Sequence, residues 1–311
     1  MSYKNRVSYS QFSMWSVCPH KWKLAYIDKI RDYSANIYMI FGTAMHYTLQ
    51  MYLTALYSNG AFYAGGLDLL EILRESLAKE YQKEKTHFGE NNLLEMEKGE
   101  ERDKLLDEQF DEIISKKDMI EFYYDGQKIF NWFLKHRTEF FNSKDEELVA
   151  IEFPIEETLK PGLDFIAYVD VLIRNKKTGK YRIIDLKVTT KGWGSYKKND
   201  VNTTAQLVLY KAFYANKFNV DPKDITAEFM IFKRKLYEDI PYAQKRVIQF
   251  VPASGKPTIN KTMIRFDAFV DSCFDEKGNK NIAGVYPKIA TESNCRFCPF
   301  AERPELCDKK N

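Results

Sequence analysis

The sequence predicts an α/β protein: a β-sheet core flanked by helices, with a helical first half and a cysteine-bearing tail. Three observations predict it. Apolar and aromatic residues recur at helical intervals up to Phe141, runs rich in Val, Ile and aromatics follow Lys144, and helical spacing then returns between further strand-like runs. A chain of 311 residues that is 44% hydrophobic and 15% aromatic can bury a sizeable core. No internal repeat or low-complexity linker divides it, so residues 1–311 read as one domain with a helical region at 10–141, a sheet region at 145–252 and a helix with a cysteine tail at 257–311.

The formal net charge is +3, so any surface for a polyanion must come from local clustering. The opening MSYKNRVSYSQF lacks the apolar stretch of a signal peptide, and no run of about 18 apolar residues occurs, so a cytoplasmic protein is expected, without a membrane partner. In a reducing compartment five cysteines, an odd number, point to metal ligation or burial and away from a disulfide framework.

The elements follow in order. Ser10 reads as an N-cap, and Phe12, Trp15, Trp22 and Tyr26 recur at helical intervals, giving a helix that carries Cys18 and breaks near Asp32. In FGTAMHYTLQMYLTAL a stripe of Phe41, Met45, Leu49 and Tyr52 or Leu53 predicts a second helix; it contains His46, and Gly42 would permit close approach of a neighbour. Leu67 to Phe141 reads as several helices, interrupted by the mixed-charge stretch KEYQKEKTHFGENNLLEMEKGEERDK, a solvated face or a mobile excursion. ELVAIEFPIEETL, LDFIAYVDVLI and KYRIIDLKVT are strands, the last two joined by a Gly-bearing turn in RNKKTGKY. TTAQLVLYKAFYANKF is a helix, AEFMIFKRK and KRVIQFVP are strands, and a last helix spans about Thr258 to Cys273.

IIDLKVTT carries the chemistry. Side chains alternate along a strand, so Asp185 and Lys187 share a face while Leu186 points away. Counting back from the turn brings Asp170 alongside Asp185 to within a residue of register. Two carboxylates this close repel unless they share a proton, a cation or a hard divalent metal. Gln206 and Tyr210 lie one helical turn apart on the following helix, and Glu152 could approach the same site from a neighbouring strand.

Taken in order, these residues resemble the RecB-like branch of the PD-(D/E)xK nuclease superfamily, whose signature is a helical Gly-x-x-x-His, a strand Asp, Asp/Glu-x-Lys and Gln-x-x-x-Tyr. Here the matches are Gly42 with His46, Asp170, Asp185 with Lys187, and Gln206 with Tyr210. The family often has Gly three residues before the strand acid, where this chain has Ala167. The resemblance implies a restriction-endonuclease-like mixed β-sheet core. It further implies that His46, Asp170, Asp185 and the backbone carbonyl of Leu186 hold Mg²⁺ or Mn²⁺, that Lys187 serves the attacking water or the developing phosphate charge, and that Gln206 and Tyr210 position the assembly.

Three of the five cysteines stand in CRFCPFAERPELC. Cys295 and Cys298 have the C-x2-C spacing of a metal pair, and Cys307 supplies a third thiolate. Cys273 falls in an i, i+3, i+4, i+7 stripe with Phe266, Phe269 and Val270 and belongs to a helix core, which leaves Cys18, followed by Pro19, as the better fourth ligand. Spacing alone leaves a four-cysteine Zn²⁺ site and a [4Fe-4S] cluster open. One cysteine before the nuclease core and three after it resembles the iron-sulfur class of this branch, which includes the AddB nuclease domains and the CRISPR adaptation exonucleases, and so implies the cluster.

KKNDVNTT, FKRKLY and QKRVIQF offer basic residues near the expected active-site edge, the last two with aromatics, which would suit single-stranded nucleic acid. The expectation is a metal-dependent DNA exonuclease acting on single-stranded or frayed ends in repair, recombination or phage DNA metabolism, in a bacterial or phage-infected cell, with a helicase or recombination protein as a possible partner. A nuclease-fold module that clamps DNA or a partner protein with little catalysis is the alternative, and an interaction protein built around a zinc tail is a third reading.

Overall fold

The computed structural model describes residues 4–30, 35–92 and 99–308. The chain opens with a short strand, β1 (Asn5–Val7), and two helices, α1 (Tyr9–Val17) and α2 (Pro19–Tyr26). A single helix through Cys18 with Ser10 as its cap is not what forms: Ser8 is the N-cap, and Cys18 is extended (φ −159°, ψ 108°) between the two helices. Pro19 is the reason. It has no amide hydrogen to continue α1, and its ring disfavours helical backbone at the preceding residue. α2 ends at Tyr26, ahead of the break expected near Asp32, a residue outside the described ones. β1 is too short to show an alternating pattern in the sequence.

Five further helices follow: α3 (Ile37–Ser58), α4 (Gly60–Gly65), α5 (Leu69–Asn91), α6 (Glu100–Ile113) and α7 (Lys116–His136). Their starts are set by local chemistry. Asn36 accepts the amide hydrogen of Tyr38, Asp68 those of Leu70 and Glu71, and Ser115 forms a capping box with Asp118. The stripe predicted for α3 is buried, including both Tyr52 and Leu53. The mixed-charge stretch forms the end of α5 and the start of α6, with residues 93–98 of it outside the described ones.

The sheet is built from β1, β2 (Glu146–Lys160), β3 (Leu163–Asn175), β4 (Tyr181–Thr189), β5 (Ile225–Lys233) and β6 (Val247–Phe250). Between β4 and β5 lie α8 (Ser195–Asn199) and α9 (Val201–Phe218), and α10 (Lys256–Cys273) and the short α11 (Glu292–Cys295) complete the chain. The order is β1-β3-β4-β5-β6, with β2 paired to β3. β1–β3 and β4–β5 are parallel and the other pairings antiparallel, so the sheet is mixed. Pro154 fits within β2 because that strand pairs on one side only, with β3.

β3 has a divided edge. β2 runs along one side of it, while the other side pairs with β1 at Leu163–Phe165 and with β4 at Val171–Arg174, leaving residues 166–170 without a strand partner on that side. β4 turns away there to continue beside β5. The opening in the ladder ends at Asp170.

Two cores cover the two faces. Ile184, Leu186, Met230 and Phe232 pack with α3, α5, α6 and α7, whereas Ile183, Phe229 and Ile231 pack with α9, α10 and the first helices. Alternation reverses at one level of the sheet: Ile151 and Val171 pack in the first core, but Phe153 and Val169, two residues away, pack in the second. Glu152 stands at that level in β2 with a left-handed backbone (φ +50°), and Asp170 stands opposite it in β3 by the register of its neighbours. A non-glycine residue at positive φ inside a strand is strained, and such strain collects at functional sites.

Candidate active site

Asp170 and Asp185 meet where the ladder opens. The pairing of Val171 with Ile184 carries the register forward so that Asp170 faces Asp185, as counting from the turn predicts. Because the strands part here, the backbone amide of Leu186 is free to donate to the Asp170 carboxylate, at 2.6 Å from Oδ2. Asp170 thus takes the place of a ladder bond.

Asp185 is 2% exposed. Gln206 Nε2 donates to its Oδ1 at 2.6 Å and lies 3.0 Å from the Tyr210 hydroxyl, so α9 braces the carboxylate through residues one helical turn apart. Lys187 Nζ lies 2.6 Å from Oδ2, so the buried carboxylate is braced on one oxygen by Gln206 and paired on the other with a lysine. From α3, His46 Nδ1 comes to 3.7 Å from Asp170 Oδ2, and the Leu186 backbone also reaches the His46 ring. Gly42, one turn before His46, makes no close approach: among the described residues nothing comes within 4 Å of where its Cβ would stand. The space it leaves open is on the side of the helix that carries His46.

Burial dominates the electrostatics. It pushes the Asp170 carboxyl up to about 7 and the Asp185 carboxyl up to about 6, against the lowering pull of the Leu186 amide on the first and of Lys187 on the second. Asp170 adds to the shift of Asp185 by like-charge repulsion. Burial also holds the His46 imidazole below its ordinary value, which favours the neutral form that can act as a ligand. The arrangement can store a proton or accept a cation, and carboxylate oxygens are the ligands a hard ion takes. Among the described residues, no group of three or more His, Cys, Asp or Glu side chains is arranged closely enough to hold a metal ion.

Glu152 reaches the same region. Gln50 Nε2 donates to Glu152 Oε1 at 2.6 Å and lies 3.5 Å from the Asp170 carbonyl. The sequence reading passed over Gln50, although it stands one helical turn beyond His46, and that spacing is the signal that could have found it.

Cys18, Cys295, Cys298 and Cys307 line one pocket, together with His20, Lys288 and Phe300. All four are free and partly exposed. The amide of Ile289 points at Cys18 Sγ at 3.5 Å, and Lys288 feels both Cys307 and Cys18. The segment is fastened to the first helices by His20 N to Pro287 O (3.2 Å), His20 Nε2 to Leu306 O (3.0 Å) and Asn294 Nδ2 to Val17 O (3.0 Å). Cys273 is apart from them and fully buried, as its helical stripe predicts.

The basic stretches divide. Arg234 and Lys235 of FKRKLY are tied to Asp125 and Glu121, and Lys245 to Glu139, so these cations are already neutralised. Lys191, Lys197 and Lys198 instead stand over the rings of Tyr237, Trp193 and Phe250.

A family model described as the PD-(D/E)XK nuclease superfamily matches residues 6–303. A comparison with curated proteins gave no match. The matched span includes both acids, Lys187 and Cys18, Cys295 and Cys298, and stops short of Cys307. The chain belongs to the PD-(D/E)XK nuclease superfamily.

Proposed function

We propose that this member of the PD-(D/E)XK superfamily is a Mg²⁺- or Mn²⁺-dependent deoxyribonuclease, working as an exonuclease on single-stranded or frayed ends. The observation that carries the reading is the meeting of Asp170 and Asp185 at the opening of the sheet, with Lys187 paired to the buried Asp185 carboxylate. His46, Asp170, Asp185 and the Leu186 carbonyl would hold the cation, which when bound would activate water and polarise the phosphodiester. Lys187, anchored on Asp185, would orient the water or balance charge that gathers on the phosphate. Gln206 fixes the Asp185 carboxylate, and the Tyr210 hydroxyl keeps Gln206 in place.

The four pocket cysteines line one pocket and would have to draw closer together to hold a second group. Thiols from the first helices and from the C-terminal segment line one pocket, and the Ile289 amide already points at a sulfur, as donors do around thiolate-ligated clusters. Cys18, Cys295, Cys298 and Cys307 would hold a [4Fe-4S] cluster, or Zn²⁺ in its place, and tighten a junction that hydrogen bonds already make. The cluster would be structural.

The test is to incubate purified protein with labelled single- and double-stranded DNA and Mn²⁺, beside Asp185→Ala. Cleavage by the native protein that vanishes in the variant is expected. DNA left intact by the native protein would sink the enzyme reading and favour the clamp.

A further inference from the structure

Lys233 ends β5, and its place in the sheet sets its direction. It pairs with Thr189 in parallel register, as Ile231 pairs with Lys187 and Phe229 with Asp185, so these side chains stand on one face. Strand geometry separates the α-carbons of Lys233 and Lys187 by about 8 Å, one strand across and two residues along. The side chain is 7% exposed and runs beneath the loop that follows β4: a Cβ on Gly192, whose φ is +92°, would come within 3.0 Å of Lys233 Cδ. Gly192 is therefore required twice, for its backbone and for the passage of this lysine.

What is missing is an acid. Arg234 and Lys235 next to it engage Asp125 and Glu121, whereas the Lys233 ammonium has no hydrogen bond or ion pair with any described residue. The charged groups that act on it are Arg246 and Lys198, both cations, and together with burial they hold its pKa below the ordinary lysine value. Arg246 donates to the carbonyls of Lys233 and Arg234, and Lys198 stands 5.6 Å from the Phe250 ring centre. A lysine whose stem is buried and whose ammonium stands beside two other cations makes a local positive field that attracts an anion.

We infer that Lys233, flanked by Lys198 and Arg246, anchors an internal backbone phosphate of the nucleic-acid strand, one or two nucleotides from the bond cut at Asp170 and Asp185. The inference rests on the nuclease reading above. The anchor explains why one lysine of FKRKLY is left unpaired while its neighbours are neutralised, and why it lies under a glycine on the same face as Lys187. It binds charge and not base, so it adds affinity without sequence preference.

The test is binding without cleavage: fluorescence anisotropy of a labelled single-stranded oligonucleotide in chelator, across a range of salt. Lys233→Gln should weaken binding by about threefold to tenfold and flatten the logarithmic salt dependence by about 0.7, the contribution of one phosphate contact on a single strand. Lys277→Gln, an exposed lysine in the turn that follows α10, should change neither. Native affinity and salt slope in folded Lys233→Gln would overturn the anchor, and Mn²⁺-dependent cleavage by that variant would show the nuclease reading still standing. If Lys233→Gln fails to fold, partly exposed Lys198→Gln must show the flattening instead, and its absence overturns the anchor. A loss confined to end-phosphorylated oligonucleotides would overturn assignment to the strand interior. Native protein that neither binds nor cuts the oligonucleotide overturns both.

Discussion

The acidic site and the cysteine pocket are assembled in opposite ways. Asp170, Asp185 and Lys187 stand on adjoining strands joined by one hairpin, so the sheet itself places them, and α9 fixes them with Gln206. Cys18 and the tail cysteines come from segments far apart in the chain, joined by single hydrogen bonds at the surface of α1 and α2. The first site holds its groups against repulsion and desolvation. The second is held by hydrogen bonds between distant segments, with thiols and not acids lining it. One site concentrates buried charge and backbone strain, and the other joins two ends of the chain.

The sharpest break between the two is in the chemistry. Lys187→Gln should lower Mn²⁺-dependent cleavage by about a hundredfold to a thousandfold if the lysine meets the developing charge, with a smaller change in melting temperature because Asp185 can take up a proton when its partner is lost. Loss of folding in parallel would show that the ion pair is structural. Next comes the pocket. Cys298→Ser and Cys18→Ser should each lose bound iron and visible absorbance after anaerobic reconstitution and melt several degrees lower, while Cys273→Ala keeps the iron and loses only about 1–2 kcal/mol of packing. Iron retained in Cys18→Ser would remove that residue from the ligand set, and zinc without iron in the native protein would replace the cluster.

The third effect is on stability. Burial pushes the folded Asp170 carboxyl up to about 7 from an ordinary 3.8, so between these values the folded state holds a proton that the unfolded chain has released. Its contribution to stability is complete below about pH 4 and is lost as pH rises through about 7, a change of a few kcal/mol. Metal-free protein should therefore melt lower at pH 8 than at pH 5, Asp170→Asn should reduce the dependence to the part that Asp185 carries, and added Mn²⁺ should restore the loss at pH 8. A flat native profile would mean that the carboxyl ionises freely. The smallest effect is that of Gln206→Ala, about tenfold on cleavage, because it removes a brace and no reacting group. A loss as large as that of Asp185→Ala would give Gln206 a direct part.

Legibility in the sequence follows the same division. The hairpin register was readable because a short turn fixes it and alternation assigns faces, and Asp170 stands opposite Asp185 as counted. Gln206 and Tyr210 were readable from helical spacing. The break at Cys18 was foreshadowed by Pro19 but hidden by an aromatic pattern that continues across both helices. The cation stretches misled, since sequence cannot show that Arg234 and Lys235 meet acids from α7 more than a hundred residues earlier in the chain. Gln50 and the reversal at Glu152 were invisible for a related reason: each exists only once a helix and two strands have been laid together.

That reversal has a consequence for how the sheet can form. A one-residue slip of β2 along β3 would carry the left-handed turn of Glu152 away from Asp170, and to keep it in place the turn would have to pass to Ile151 or Phe153, a branched or bulky residue that resists positive φ. The hairpin therefore has one phase. Glu152 acts as a ratchet tooth that admits only the pairing in which it stands opposite Asp170.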